Sequence, residues 1–244
     1  MTKIHLLFTG PIRPNINCVK YVLNNYIDQL KNLNNYEIIT YLSTWKTDIA
    51  SEEELKLLFD HVTIQDEPIN EYIYNVITER TIQQRQQGDL ESWTGGIYKM
   101  FKGISNLLEY IDEYNLIQND EIALRIRLDM IIELNQNIWE LIFNNLLTNH
   151  NEYYVNFVRG CANYSDWFGI TSYNNLKKIW YFNNLNILNN YIKNSYCSEK
   201  IIENRCIHSN IKSINIKTLS YSNPNNYIVR KYISDTQHKK HYYE

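Results

Sequence analysis

The chain has 244 residues, 44% of them apolar and 21% charged, and a formal net charge of −3 from 24 basic and 27 acidic side chains. That length and balance fit one large α/β domain and exclude disordered, collagen-like and coiled-coil chains. A slightly acidic total gives no electrostatic reason to wrap nucleic acid or an anionic membrane, so no nucleic-acid partner is expected and work on a small molecule is. Cys18, Cys161, Cys197 and Cys206 form no CxxC pair, which argues against a zinc ribbon or a disulfide framework and for a reducing compartment. The apolar run Ile4 to Phe8 is short for a signal peptide, and no stretch approaches the roughly 20 apolar residues of a membrane span, so a soluble, cytoplasmic protein is expected. Asn supplies roughly one residue in seven while Ala is nearly absent. The bias fits codon pressure from an AT-rich genome, and the Asn pairs carry no low-complexity function.

In chain order, Lys3 to Thr9 is an apolar run ending at Gly10-Pro11, as a buried parallel strand does on leaving its sheet. Val19, Val22, Leu23, Tyr26, Ile27 and Leu30 recur at helical spacing between Asn17 and Leu33, with Asn17 as the expected cap. Glu37 to Ser43 is a second strand. Ser51 with Glu54 gives a capping box for a short helix to Asp60, and His61 to Gln65 is a third strand. This βαβαβ opening suits a nucleotide-binding sheet, although it has neither GxGxxG nor a Walker loop. Residues 66–96 are polar and read as helix and loop over the sheet. Trp93, Gly95, Gly96, Tyr98 and Lys99 precede a stripe from Ile97 to Ile111, where the amides of a helix start could meet phosphate, though a plain loop-to-helix junction explains them as well.

From Glu121 to Ile132 the residues Ile122, Leu124, Ile126, Leu128 and Met130 share one face of an expected strand, and Arg125, Arg127 and Asp129 share the other. Open α/β sheets bind ligands at the carboxyl ends of their strands, which makes this charged face a site candidate. The rival reading is an ordinary solvated face on which Arg127 and Asp129 pair, a contact worth at most about 1 kcal/mol when exposed. Asn135 to Leu147 reads as a helix, Tyr153 to Val158 and Asp166 to Ser172 as strands, and Tyr173 to Ile192 as one helix, for six or seven strands in all. Residues 1–222 are expected to form a single domain and residues 223–244 a polar, flexible or docking tail.

Four features in order, Gly10-Pro11-Ile12-Arg13 after strand one, Ser43-Thr44-Trp45 ending strand two, Arg125-Ile126-Arg127-Leu128-Asp129, and Asp166-Trp167-Phe168-Gly169-Ile170, resemble the WavE-like group of bacterial and large-virus glycosyltransferases. The resemblance spans residues 4–172. It implies a GT-A-type, nucleotide-sugar-binding, Rossmann-like α/β sheet with flanking helices. It also implies transfer of a sugar from a nucleotide-diphosphate-sugar donor to a glycan or other hydroxyl acceptor in polysaccharide synthesis, in the host cytoplasm if the source is viral. Gly10, Arg13, Trp45, Arg125, Arg127 and Asp129 are then the donor-binding candidates. Asp129 takes the place of the last Asp of the DxD motif through which many GT-A enzymes hold Mn²⁺ or Mg²⁺, while Arg127 stands where the first Asp would be. With a cation, Asp129 and the diphosphate complete a hard-oxygen site; without one, Arg125 and Arg127 balance the phosphates. Asp166 is the candidate base for the acceptor hydroxyl.

Bland alternatives accompany each residue. Asp166 suits a strand edge or turn, Gly10 a tight turn, and Trp45 a plug at the sheet end. His208, His238 and His241 are late histidines that usually stay solvated, and Glu199 with Glu203 suits a surface helix as well as an acceptor contact. The rival functions are a GT-A-like domain that binds glycan or a partner without catalysis, and another Rossmann-like nucleotide-dependent transferase.

Overall fold

The computed structural model describes residues 2–12, 15–33, 36–68, 90–155, 164, 166, 168–195, 197–216 and 229–232; for 90–95, 185, 193 and 229–232 it describes the backbone alone. The core of the fold is β1 (Thr2–Thr9), in which every side chain from Ile4 to Phe8 is fully buried. A strand buried on both faces must lie inside a sheet, and β1 pairs in parallel with β2 (Tyr36–Trp45) on one side and β4 (Ile122–Arg127) on the other. β3 (His61–Gln65), with the bounds expected from the sequence, extends the sheet beyond β2 in parallel. Beyond β4 come β7 (Phe168–Ser172), β6 (Glu152–Val155) and β8 (Lys212–Asn215), giving the order β3-β2-β1-β4-β7-β6-β8. β7 alone runs against the other six strands, antiparallel to both β4 and β6.

Helices cover both faces. Ile4, Leu6 and Phe8 join Ile122, Leu124 and Ile126 under α1 (Ile16–Leu30) and α4 (Gln136–Thr148). Leu7, Tyr41 and Ala123 pack on the opposite side under α3 (Leu90–Glu113), α5 (Tyr173–Trp180), α6 (Leu185–Asn194) and α7 (Ser198–His208). The result is a mixed α/β architecture with a seven-stranded sheet between helical layers.

Several boundaries differ from those expected. Asn15, not Asn17, caps α1: its backbone is extended and its side chain accepts from the Cys18 amide, three residues on. The Ser51–Glu54 capping box is present and starts α2 (Glu52–Lys56). α3 begins at Leu90, so Trp93, Gly95, Gly96, Tyr98 and Lys99 lie inside a helix whose amides are turned into its own ladder rather than toward a phosphate. The long strand expected over 121–132 is two strands. β4 ends at Arg127, where its partner β1 ends, and after Leu128-Asp129 the chain becomes β5 (Met130–Glu133) in a separate two-stranded sheet. β5 is held to α1, for the Ile132 amide donates to Tyr26 Oη and the Leu134 amide to Gln29 Oε1.

Its partner is β9 (Val229–Tyr232), drawn from the stretch expected to be a flexible or docking tail. The helix expected over Tyr173 to Ile192 is also two, because Asn184 caps α6 while the Phe182 amide donates to Ser105 Oγ and Arg205 donates to the Tyr181 carbonyl. No described helix is long and apolar enough to cross a membrane.

Candidate active site

Parallel strands β1, β2 and β4 point their carboxyl ends to one edge, and because β7 runs the other way, the residue preceding it reaches that same edge. A cavity of about 680 Å³ opens there, lined by Gly10, Trp45, Arg125, Arg127, Asp129 and Asp166 among others. Six of the seven residues expected from the sequence therefore come together; Arg13, like Trp167, lies outside the described residues.

Gly10 turns the chain out of β1 with φ +131°, a conformation L side chains rarely adopt, and its amide donates to the Ser43 carbonyl on β2. Trp45 is 8% exposed and its ring lies against α3, where a Cβ on Gly103 would stand 3.6 Å from it. Trp45 is thus mainly the plug of the sheet end, with an edge on the cavity.

Arg127 and Asp129 flank the end of β4 and form a bidentate pair, Nε donating to Oδ1 at 2.5 Å and Nη2 to Oδ2 at 3.0 Å. The pairing anticipated for a solvated strand face does occur, but the Asp129 side chain is only 8% exposed. Planar fork-to-fork geometry of this kind fixes both groups strongly. Arg125 differs. In register with Leu7 and Gly169, it is 1% exposed, its guanidinium lies 4.9 Å from the centre of the Trp180 ring, and its Nε and Nη1 have no hydrogen-bond partner among the described residues. Burial pulls its pKa down to about 10, against the opposing pull of the Asp166 charge. It remains a cation at neutral pH. The face of β4 expected to be charged and open is therefore covered by α5, and its arginine is a buried charge at the cavity wall.

Gly169, in the same register row, has a structural reason: a Cβ there would fall 2.1 Å from the Tyr153 hydroxyl of β6. Asp166 stands just before β7. Its Oδ2 accepts from Ser198 Oγ at 2.8 Å, while its buried Oδ1 has no partner among the described residues. Ser198 and Glu199, at the start of α7, complete that end of the cavity. Burial, followed by the neighbouring Asp166 charge, raises the Glu199 pKa. Lys99 of α3 also reaches the cavity and pairs with Glu67 at 2.6 Å.

No protein-family model matches the chain, and no curated protein matches it. Among solved structures, the chain is similar to a protein of Desulfovibrio desulfuricans G20 described as a nucleotide-diphospho-sugar transferase, with a TM-score of 0.45 and 8% identity over 88% of this chain and 80% of that one. It is similar also to a 4-diphosphocytidyl-2C-methyl-D-erythritol synthase, with a TM-score of 0.42, 8% identity and 88% of each chain covered. A third is mouse xyloside xylosyltransferase 1, with a TM-score of 0.40 and 8% identity over 88% of this chain and 85% of that one.

The donor atoms for a divalent cation are few. Asp129 is the carboxylate at the strand end, both its oxygens accept from Arg127, and among the described residues no three His, Cys, Asp or Glu side chains gather as a ligand set. With Asp129 paired to Arg127, the described residues form no ready-made Mn²⁺ or Mg²⁺ site. His208 is engaged elsewhere, its Nδ1 3.0 Å from Tyr191 Oη. His238 and His241 lie outside the described residues. Cys197 and Cys206 are buried, as small hydrophobes are, whereas Cys18 is half-buried and Cys161 lies outside the described residues.

Proposed function

We propose that the chain transfers a sugar from a nucleotide-diphosphate-sugar donor to a hydroxyl acceptor. The observation that carries this reading is Arg125, a buried guanidinium with two nitrogens, Nε and Nη1, unpartnered among the described residues, on the wall of a cavity. An unsatisfied buried cation costs several kcal/mol, and an anion seated against it removes that cost. Arg127, one strand-face position further toward the edge, supplies a second positive charge, as a diphosphate needs. In transfer, the bond between the sugar's anomeric carbon and the phosphate oxygen breaks and its electron pair stays on the diphosphate. The acceptor oxygen bonds to that carbon, and its proton passes to Asp166. The arginines favour the departing charge in the transition state, and Asp166 serves as the base.

The GT-A assignment, and within it the WavE-like group, belongs to this proposal and rests on the four motifs together with the strand order that gathers them. A thermal-shift panel of nucleotide-sugars, nucleoside triphosphates and S-adenosylmethionine tests it, followed by a donor-hydrolysis assay on whatever binds. Nucleoside diphosphates and their sugars should raise the Tm. Stabilisation by S-adenosylmethionine alone would reject the reading, and donor binding without hydrolysis or transfer would favour a binding module.

A further inference from the structure

On the cavity wall, Ser198 Oγ lies 2.8 Å from Asp166 Oδ2 and 3.1 Å from Glu199 Oε2. A serine hydroxyl has one hydrogen, and ionised carboxylates can only accept. With both acids ionised, one of these two contacts would bring lone pairs together. A single added proton resolves the conflict: the Glu199 carboxyl donates to Ser198 Oγ, and Ser198 donates to Asp166 Oδ2. The shorter contact is the one to Asp166, as a hydroxyl bonded to the ionised member should be. We propose that Asp166, Ser198 and Glu199 act as one unit holding a shared proton, with Ser198 and Glu199 as positioning residues that keep Asp166 ionised and fixed for the acceptor hydroxyl.

This rests on the transferase reading for the role of Asp166, and on the geometry alone for the shared proton. The unit is not merely an acidic cluster, for Arg125, buried and with Nε and Nη1 unpartnered among the described residues, lines the same cavity. Its charge interacts with Asp166 first, and also with Arg127, Tyr153 and Asp129. The other charged groups on the cavity wall are the Arg127–Asp129 and Lys99–Glu67 pairs. On α7 itself Lys200 is paired with Glu203. The Cys197 thiol also contacts Glu199. Burial, then the like charge of Asp166, raises the Glu199 pKa against the lowering by hydrogen bonds with its own amide, Cys197 and Ser198, and that net direction agrees with its holding the proton.

Carboxyl ¹³C NMR of the full chain, labelled at Asp and Glu, tests the unit without needing activity. In the wild type both carboxyl resonances should move at each of two midpoints, because the pair titrates as one unit. Glu199→Gln should remove the upper step and keep the lower, and Asp166→Asn should lower the Glu199 midpoint by about one pH unit, the scale on which neighbouring carboxyls couple. Ser198→Ala should leave two single steps. A Glu199 midpoint unmoved by Asp166→Asn would overturn the proposal, since burial alone would then account for it. A transfer assay on the same preparations separates the two claims. Coupled titration without transfer defeats the transferase reading and leaves the shared proton standing; transfer without coupling does the reverse.

Discussion

A guanidinium at 1% exposure with Nε and Nη1 unbonded among the described residues is destabilising, because each buried donor has given up its water. The Trp180 ring offsets part of that cost through its electron-rich face, and an anion in the cavity would offset more. Arg125→Lys keeps the charge and discards both the planar fork and the fit against Trp180. If Arg125 holds a diphosphate, affinity for a nucleoside diphosphate should fall about 10- to 100-fold, the worth of one charge-assisted hydrogen bond. Calorimetry beside a thermal melt reads both consequences, and unchanged affinity would remove Arg125 from the site. Arg127→Ala should weaken the same ligand and also destabilise the fold, since it strands a buried Asp129 whose two oxygens lose their donors. Chelator should change neither affinity, because Asp129 is committed to Arg127. A chelator-sensitive affinity would mean that Asp129 turns from Arg127 to a cation.

Turns and strands set where these side chains sit, and two glycines test that placement. Gly169→Ala puts a methyl 2.1 Å from the hydroxyl of Tyr153, a fully buried ring with no solvent to move into, so a loss of several kcal/mol in urea unfolding is expected. Gly10→Ala meets only ordinary van der Waals contact, its nearest atom being Arg127 Cγ at 3.8 Å, yet φ +131° makes it strained by about 1–3 kcal/mol. A smaller cost at position 169 than at position 10 would contradict the described packing. Elements of this kind were legible where sequence alone determines them: β1, the Ser51–Glu54 box and β3 follow from apolar runs and caps. The β4/β5 break was hidden because the alternation Ile122 to Met130 continues through it, while the strand actually stops where its neighbour β1 stops. Asp166 was legible from its motif. Ser198 was not, because a serine and glutamate opening a helix are ordinary there, and the contact with Asp166 spans 32 residues.

Across the whole sheet, the edge opposite the cavity is tied by a buried polar network that makes overall stability depend on pH. His5 on β1 lies 3.1 Å from Tyr41 Oη on β2 and 3.1 Å from Glu121 Oε2, beside the start of β4, and Tyr41 stacks on His61 of β3. A carboxylate can only accept, so Nε2 carries the hydrogen for Glu121 and Nδ1 accepts from Tyr41, which makes His5 a neutral imidazole. Burial lowers its pKa from 6.5 to about 4, outweighing the pull of Glu121. Between those values the unfolded chain binds the proton and the folded chain does not, so stability is full above pH 6.5 and is lost as the pH falls toward 4. At roughly 1.4 kcal/mol per pH unit, the loss is about 3 kcal/mol. Glu152, whose pKa is lowered by hydrogen bonds from Tyr154 and Lys212, adds to the loss at lower pH. Glu199 opposes it, because its raised pKa makes the folded state hold its proton more tightly and so favours folding on acidification. His5→Gln can reproduce both contacts through its amide without titrating, so urea unfolding at pH 7 and pH 4.5 should show a markedly smaller acid loss in that variant than in the wild type. Nucleoside diphosphate binding at pH 7 should be the same in both, since the network lies at the far edge from Gly10, Arg125 and Arg127. Equal acid losses in the two proteins would show that another group carries the titration.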